Sequence, residues 1–344
     1  MQRSSMRHFS SYGPVNPKVH FALERRWLVE HCVEQLVGSA GEGGHYFTIH
    51  APQQSGKTWL MRQAVEEIRR RHADRFLVGV LSLQGLMDES DPDERFLQGV
   101  GLRFPRALLR PEPRLEGWDD WLCLFHQESS PFDQPLILLI DEFDSLTRTA
   151  TDKIVALFRQ MYLAREEHVL HGLALIGVRA VLGVDSPRGS PFNVQRSLHV
   201  PNFNREEVEE LFGQYQQESG QAIEPAVMEQ LYGAVLGQPG LTCWFGELLT
   251  EKYNPDRSQP IDMARWQHIH ARALYTERNN NILNLVAKAR QPFAREVQTL
   301  FVKSDVPFVV GQPWCDHLDL NGIIAAELVI DELGQESFVC RFAS

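Results

Sequence analysis

The chain has 344 residues and a formal net charge of −11, with 43% hydrophobic and 23% charged residues. This length accommodates two or three small domains with apolar cores, and the composition is that of an ordinary globular protein. No apolar run approaches the roughly 18 residues that a membrane-spanning helix needs. The acidic balance argues against broad binding to nucleic-acid backbones, which depends on many Lys and Arg contacts.

The N-terminus and the cysteines both indicate a cytoplasmic protein. Residues 1–15 are mostly polar and lack the apolar segment of a signal peptide, so we expect a flexible arm there. The five cysteines are scattered and form no C-x-x-C pair. Reduced thiols in the cytoplasm are therefore favoured over disulfides or a zinc site.

The first elements of the chain lead into a phosphate-binding motif. Residues 16–37 carry apolar side chains at helical spacing and predict an amphipathic helix with its lead-in. After a glycine-rich hinge, a strand at 46–50 runs into Ala-Pro-Gln-Gln-Ser-Gly-Lys-Thr, a variant of G-x-x-x-x-G-K-[ST] with Ala51 at the first glycine. We call residues 51–56 the phosphate loop. The helix predicted at 57–73 would turn its N-terminal amides toward a phosphate.

The middle of the chain alternates between apolar strands and helices. We predict a strand at 76–83, two helices within 84–130 around a proline-rich break, a strand at 136–140, a helix near 150–168 and a strand at 173–178. This alternation predicts a parallel sheet with helices on both faces. Ligands of such sheets bind at the carboxyl ends of the strands, where Ala51, Asp141 and Arg179 fall.

Two motifs in this order predict a nucleotide-hydrolysing site. Lys57 can neutralise the phosphates of ATP, Thr58 and Asp141 can hold Mg²⁺, and Glu142 is placed to polarise the attacking water. The alternatives are a degenerate loop that binds nothing and a core strand that merely ends in two carboxylates. The intact Gly56, Lys57 and Thr58 favour nucleotide binding.

From residue 204 onward the pattern contains helices and then a hairpin. Asn204 is a predicted N-cap, and we predict helices at 205–219, 224–236, 241–253, 261–275 and 279–290, two or three short helices after 292, and a hairpin of 323–330 with 337–342. The predicted domains are a flexible arm (1–15), an ATPase core (16–202), a helical lid (203–255), and a helical linker with a winged-helix domain (256–344). From Lys288 onward five basic and eight acidic residues give a net charge of −3, which disfavours DNA reading by that domain.

Several motifs resemble the AAA-like ATPases of the STAND class, which are prokaryotic P-loop signal-transduction NTPases related to archaeal ATPases and origin-recognition initiators. They are Tyr-Phe-Thr-Ile-His-Ala-Pro-Gln-Gln-Ser-Gly-Lys-Thr (46–58), Leu-Leu-Ile-Asp-Glu-Phe-Asp (138–144), Ile-Gly-Val-Arg (176–179), Gly-Ser-Pro-Phe-Asn (189–193), Gly-Gln-Pro-Gly-Leu (237–241) and Leu-Asp-Leu-Asn-Gly-Ile-Ile (318–324). The resemblance implies an α/β P-loop NTPase fold of the ASCE or AAA+ kind, followed by a small helical bundle and a winged-helix domain.

The resemblance also implies roles for single residues. Arg179 matches a sensor arginine that touches the γ-phosphate, Pro239 matches a residue that packs on the base or sugar, and Arg25 falls where the family contacts the adenine side. Arg188 and Arg196 are alternatives for an arginine that acts in trans. The expected nucleotide contacts along the loop and helix start are Pro52, Gln53, Gln54, Ser55, Gly56, Lys57, Thr58 and Trp59.

Three functions are open at this point. The first is a STAND-type switch, in which ATP and Mg²⁺ drive self-assembly or activation of a separately encoded effector in a bacterial signalling or defence system. The second is a DNA-engaging AAA+ ATPase such as a transposition regulator or initiator, and the third is a scaffold that holds nucleotide permanently. A basic patch (Arg62, Arg69, Arg70, Arg71 and Arg75) is either a solvated helix face or a contact for a partner or nucleic acid. The acidic charge favours the switch.

Overall fold

The computed structural model describes residues 6–39, 41, 43–86, 93–104, 108, 113–177, 197–254, 256–330 and 334–343. The chain divides into two compact units. The sheet unit comprises Arg25–His50 and Lys57–Val200, and the helical unit comprises Met1–Glu24, Ala51–Gly56 and Pro201–Ser344. Among the described helices, none combines the length and the apolar character needed to cross a membrane.

The sheet unit is an α/β structure built on a parallel sheet, as the sequence predicts. Its strands are β1 (Tyr46–His50), β2 (Leu77–Ser82), β3 (Leu136–Asp141), β4 (Leu170–Gly177) and β5 (Ser197–His199). Its helices are α1 (Arg26–Val37), α2 (Lys57–His72), α3 (Asp93–Arg103), α4 (Trp118–Phe125) and α5 (Arg148–Leu163). The strand order is β2-β3-β4-β1-β5, and every neighbouring pair is parallel.

The strand β3 is buried along its whole length. Its continuous Leu-Ile-Leu-Leu-Ile run is typical of a strand covered on both faces. In the core around β3, the Trp121 ring packs edge to face on the rings of Phe125 and Phe158, with centroids 5.3 and 5.8 Å away. Ser82 pairs in register with Asp141, so β2 and β3 end at the same edge of the sheet.

The strand β5 was not predicted from the sequence. Only three residues long, it pairs with the end of β1, and only its central Leu198 is buried. A segment this short shows no periodicity that distinguishes it from a loop. It places His199 next to His50 at the carboxyl edge of the sheet.

The helical unit holds the remaining helices and a hairpin. They are α6 (Arg205–Ser219), α7 (Pro225–Val235), α8 (Pro239–Glu247) with a π-helical turn (Leu248–Lys252), α9 (Met263–Tyr275), α10 (Asn280–Arg290), α11 (Ala294–Val302), α12 (Pro313–Leu320), and the antiparallel strands β6 (Ile324–Ile330) and β7 (Glu336–Phe342). Asn204 caps α6, since its side chain accepts from the Glu207 amide at 2.8 Å. The helix α8 begins two residues earlier than expected because Pro239 is compatible with the first helical position.

Among the residues that the structure describes in this unit, the buried apolar side chains form two separate cores. The α6–α9 core lies among α6, α7, α8 and α9, where Phe212, Leu231 and Trp266 are buried. The C-terminal core lies around α12 and the hairpin, where Cys315 and Leu318 are buried. Each contains fewer buried apolar side chains than the core around β3 in the sheet unit.

The structure differs from the predicted flexible arm over residues 6–15. Phe9 is only 1% exposed, and its ring lies 4.7 Å from that of Phe212 and 5.0 Å from that of Phe21. Arg7 pairs with Glu218 at 2.7 Å. One buried aromatic side chain in a polar segment has no periodicity to reveal it, so the sequence pattern missed this packing.

Removing the Phe9 ring tests this docked segment. We expect Phe9→Ala to lower the free energy of unfolding by about 3–5 kcal/mol, because it leaves a cavity in the α6–α9 core. Tyr12→Ala is the matched control, since Tyr12 is 48% exposed in the same segment and such surface changes stay within about 0.5 kcal/mol. Urea unfolding followed by tryptophan fluorescence measures both. Equal stabilities for the two variants would contradict the packing.

Candidate functional site

The phosphate loop is a closed turn between β1 and α2. Ser55 Oγ donates to the Pro52 carbonyl at 2.8 Å, and Ser55 is buried. Gln54 and Gly56 have φ angles of 57° and 90°, in the left-handed region. Ala51 is buried and is not among the residues with positive φ, so an alanine is accommodated where the motif usually has glycine. When residues of a loop alternate between right-handed and left-handed backbone conformations, successive backbone amides can form a concave anion-binding site.

The two predicted metal ligands meet within the sheet unit. Thr58 lies in the first turn of α2, and its Oγ1 donates to Asp141 Oδ2 at 3.1 Å. Asp141 ends β3 and is 8% exposed. Its other oxygen, Oδ1, accepts from the Glu142 amide at 3.0 Å. A hydroxyl and a carboxylate are oxygen donors that suit Mg²⁺, so the residues present fit the metal that the sequence predicts.

Glu142 sits in a backbone conformation that turns the chain sharply after β3. Its φ is 57°, which a non-glycine residue adopts only when its surroundings enforce it. Partial burial of the carboxyl raises its pKa, the charges of Asp141 and Asp144 raise it further, and Lys57 opposes the rise. A carboxylate with a raised pKa holds a proton more readily, and this suits a general base.

Asp144 is a third carboxylate close to Asp141 and Glu142, and the sequence analysis gave it no role. A Cβ at Gly177, the last residue of β4, would lie 2.8 Å from Asp144 Oδ1. Glycine at that position therefore allows the carboxylate to approach the end of β4. The sequence signal for this contact was the presence of two motifs, Asp-Glu-Phe-Asp at the end of β3 and Ile-Gly at the end of β4.

Two histidines and Arg25 line another part of the sheet edge. The rings of His50 and His199 lie 5.3 Å apart. Burial, then His199 and Lys57, lowers the pKa of His50 to about 4, while partial desolvation of the ring and then Arg25 lower the pKa of His199. Both imidazoles are therefore neutral at pH 7. Arg25 precedes α1, is 8% exposed and lies with its guanidinium carbon 5.8 Å from the Trp27 ring centroid.

Within the helical unit the phosphate loop contacts the start of α8. The Gly240 amide donates to the Gln54 carbonyl at 3.1 Å, and Gln238 Nε2 donates to the Gln53 carbonyl at 3.2 Å. A Cβ at Gly240 would lie 2.4 Å from Gln54 Oε1. Pro239, predicted to contact the nucleotide, is buried as the first residue of α8. Sequence reasoning noted the Gly-Gln-Pro-Gly segment but gave Gln238 no role.

The C-terminal part of the same unit also reaches the loop. Asn284 of α10 donates from Nδ2 to Gln53 Oε1 at 3.2 Å. A Cβ at Gly322, directly after α12, would lie 2.6 Å from Pro52 Cγ. These two contacts come from segments more than 200 residues away in sequence, and no local pattern predicts them.

The remaining predicted residues are placed as follows. Trp59 is half-buried in the first turn of α2. Arg179, Arg188 and Arg196 lie outside the described residues.

The predicted basic patch is largely engaged by protein groups. Arg70 pairs with Glu67, and Arg71 pairs with Glu30 and Glu67. Arg69 Nη2 donates to the Val78 carbonyl at 3.0 Å. Arg75 lies over the Phe76 ring, 4.9 Å from its centroid. Guanidinium groups already paired within the fold offer little attraction to a phosphate backbone, so the solvated-face interpretation is favoured.

Comparison with known proteins identifies a family. Residues 10–256 match the profile described as an AAA-like domain. No curated protein matches the chain.

Solved structures show the same fold at low sequence identity. A Walker-type ATPase of Pyrococcus abyssi is 15% identical with a TM-score of 0.54, and the match covers 94% of each chain. The Drosophila origin recognition complex bound to DNA is similar with 13% identity and a TM-score of 0.50, covering 92% of this chain and 84% of that one. A Thermotoga maritima RuvB variant is 14% identical with a TM-score of 0.50, covering 91% of each chain. These likenesses show a shared P-loop ATPase fold.

Proposed function

The chain belongs to the AAA-like domain family, and we propose that it is an ATP-binding and ATP-hydrolysing molecular switch of the STAND type. The observation that carries this proposal is the hydrogen bond between Thr58 and Asp141, directly beside Glu142. It brings a hydroxyl from a helix start and a carboxylate from a strand end to one point. Those are the groups that a P-loop ATPase uses to hold Mg²⁺ and a nucleotide.

The proposed chemistry is phosphoryl transfer to water. Lys57 would bind the β- and γ-phosphates through its ammonium group, and the backbone amides of the phosphate loop would surround them. Thr58 and Asp141 would hold Mg²⁺, which when bound neutralises charge on the β- and γ-oxygens. Reactions of this kind depend mostly on positioning and on stabilising negative charge.

Glu142 would act as the general base. Its carboxylate accepts a proton from the attacking water as the water oxygen bonds to the γ-phosphorus and the bond to the β-phosphate oxygen breaks. The products are ADP and phosphate. The pKa of Glu142 is raised toward neutral pH, and this favours its role as a general base. In this proposal Arg179 senses the γ-phosphate, as the family resemblance implies.

The switch part of the proposal rests on what touches the phosphate loop within the helical unit. Gln238 and Gly240 reach it from the lid, and Asn284 reaches it from the C-terminal segment. We propose that residues 203–255 form the lid and that the last helices and the β6–β7 hairpin form a winged-helix domain. A ligand that rearranges the loop must then alter contacts in both.

The partner of the switch is proposed to be protein. The chain carries a net charge of −11, and Arg70 and Arg71 of the basic patch are ion-paired. Both observations weigh against a DNA-engaging ATPase, which needs many free cationic contacts. We propose ATP-dependent association with further copies of the chain or with a separately encoded effector.

Two substitutions separate nucleotide binding from hydrolysis. Lys57→Ala should abolish ATP binding, because the site loses the ammonium group that opposes the phosphate charge. Glu142→Gln should keep ATP binding and lower turnover about 10²-fold or more, since general-base help is worth about that much. Binding is measured by calorimetry with a non-hydrolysable ATP analogue, and turnover by phosphate release.

Matched controls accompany these variants. Arg62→Ala removes an exposed cation from the same helix as Lys57, and Glu128→Gln removes an exposed carboxyl elsewhere in the sheet unit. Both should behave like the wild type. Wild-type turnover in Glu142→Gln would show that Glu142 is not the base, and unchanged binding in Lys57→Ala would refute the nucleotide site.

Assembly is the second consequence of the proposed switch. With the ATP analogue, the particle mass measured by light scattering should rise above that of the monomer, or a co-expressed effector should co-elute with the chain. Lys57→Ala should show neither change. A particle that stays monomeric and binds duplex DNA with sub-micromolar affinity at about 150 mM salt would instead support the DNA-engaging alternative.

A further inference from the structure

The phosphate loop is held by hydrogen bonds to two of its carbonyl groups. The Gly240 amide, in the first turn of α8, donates to the Gln54 carbonyl at 3.1 Å. Gln238 Nε2 donates to the Gln53 carbonyl at 3.2 Å and lies 3.5 Å from the Gln54 carbonyl. Two successive peptide groups of the loop therefore turn their oxygens toward the start of α8.

The planarity of the peptide fixes where the corresponding amides point. In a trans peptide the carbonyl and the following N–H point in opposite directions. The carbonyls of Gln53 and Gln54 face α8, so the amides of Gln54 and Ser55 point away from it. In loops of this motif the backbone N–H groups are the donors that surround the phosphates. The hydrogen bonds that hold the two carbonyls therefore also fix the direction of the Gln54 and Ser55 amides.

We propose that Gln238 is a positioning residue that preorganises the phosphate loop for nucleotide, an inference that rests on the proposed function. Gln238 is 6% exposed and uses both ends of its side-chain amide. Its Oε1 accepts from the Leu241 amide at 2.6 Å and caps α8, while its Nε2 holds the loop. A side chain that only capped the helix would not need a donor.

The absence of a side chain at Gly240 supports the same assignment, because it lets α8 approach the phosphate loop closely. A Cβ at this position would lie 2.4 Å from Gln54 Oε1 and 2.8 Å from Gln54 Cβ. Alanine there would force the loop and α8 apart, because the Cβ of Gln54 cannot swing away as a side-chain end can. Close approach of this backbone to the loop is therefore built into the sequence.

The direct test compares Gln238→Met with Asn204→Ala. Gln238→Met keeps the side-chain length and removes both the cap and the loop donor. Asn204→Ala removes a helix cap of the same kind from α6 in the same unit. We expect Gln238→Met to raise the Kd for a non-hydrolysable ATP analogue about 3- to 10-fold, the loss of a typical hydrogen bond. Asn204→Ala should leave that Kd within about twofold, although both variants lose thermal stability.

A kinetic readout separates positioning from a general loss of structure. Because the loop binds the phosphates in the ground state and the transition state alike, KM for ATP should rise in Gln238→Met while kcat changes less than about twofold. Gln238→Glu is the second variant, useful if the methionine variant does not fold. It keeps an acceptor for the α8 cap but turns an oxygen toward the loop carbonyls, so its Kd should rise at least as much.

Three results would overturn the proposal. Gln238→Met and Gln238→Glu could bind the analogue as tightly as wild type, Asn204→Ala could weaken binding equally, or kcat could fall with KM unchanged. In each case the proposed nucleotide site would still stand, provided that the wild type binds the analogue and Lys57→Ala does not. If wild type itself does not bind, the proposed function fails and the role of Gln238 fails with it.

Discussion

The hydrogen bond from Thr58 Oγ1 to Asp141 Oδ2 is the interaction on which the candidate site depends. It joins the start of α2 to the end of β3, the strand buried along its whole length in the sheet unit. Because β3 is fixed by that core, Asp141 has little freedom, and Glu142 follows in a left-handed turn at φ 57°. The position of the second carboxylate is therefore a consequence of packing deep in the sheet. Polar chemistry at this edge is held in place by apolar side chains.

The phosphate loop also contacts several segments of the helical unit, to which it belongs. Gln238 and Gly240 hold its carbonyl groups, Asn284 bonds to the side chain of Gln53, and the chain at Gly322 passes close to the ring of Pro52. The loop is thus continuous in sequence with the first turn of α2, and it contacts α8, α10 and the chain at Gly322. A group that reorders the loop changes both environments, which is the physical requirement for a nucleotide-dependent switch.

Much of the core was predictable because its signals are local. The buried run of β3, the strand, loop and helix around Lys57, and the N-cap at Asn204 each lie within a few residues of sequence, and the structure has all three. The three-residue strand β5 and the burial of Phe9 were missed because neither has a periodic pattern. The hydrogen bond from Gln238 to the phosphate loop was missed for a different reason, since its partner lies 185 positions away.

The central claim is that a nucleotide bound at the phosphate loop alters the structure or dynamics of α8 and α10, which contact the loop. Hydrogen–deuterium exchange with and without a non-hydrolysable ATP analogue tests it most directly, using wild type and Lys57→Ala. The account predicts that the analogue slows exchange in residues 51–60 and also changes it in α8 and α10 of the wild type, with no change in the variant. Protection confined to the loop and α2, with α8 and α10 unaffected, would contradict it.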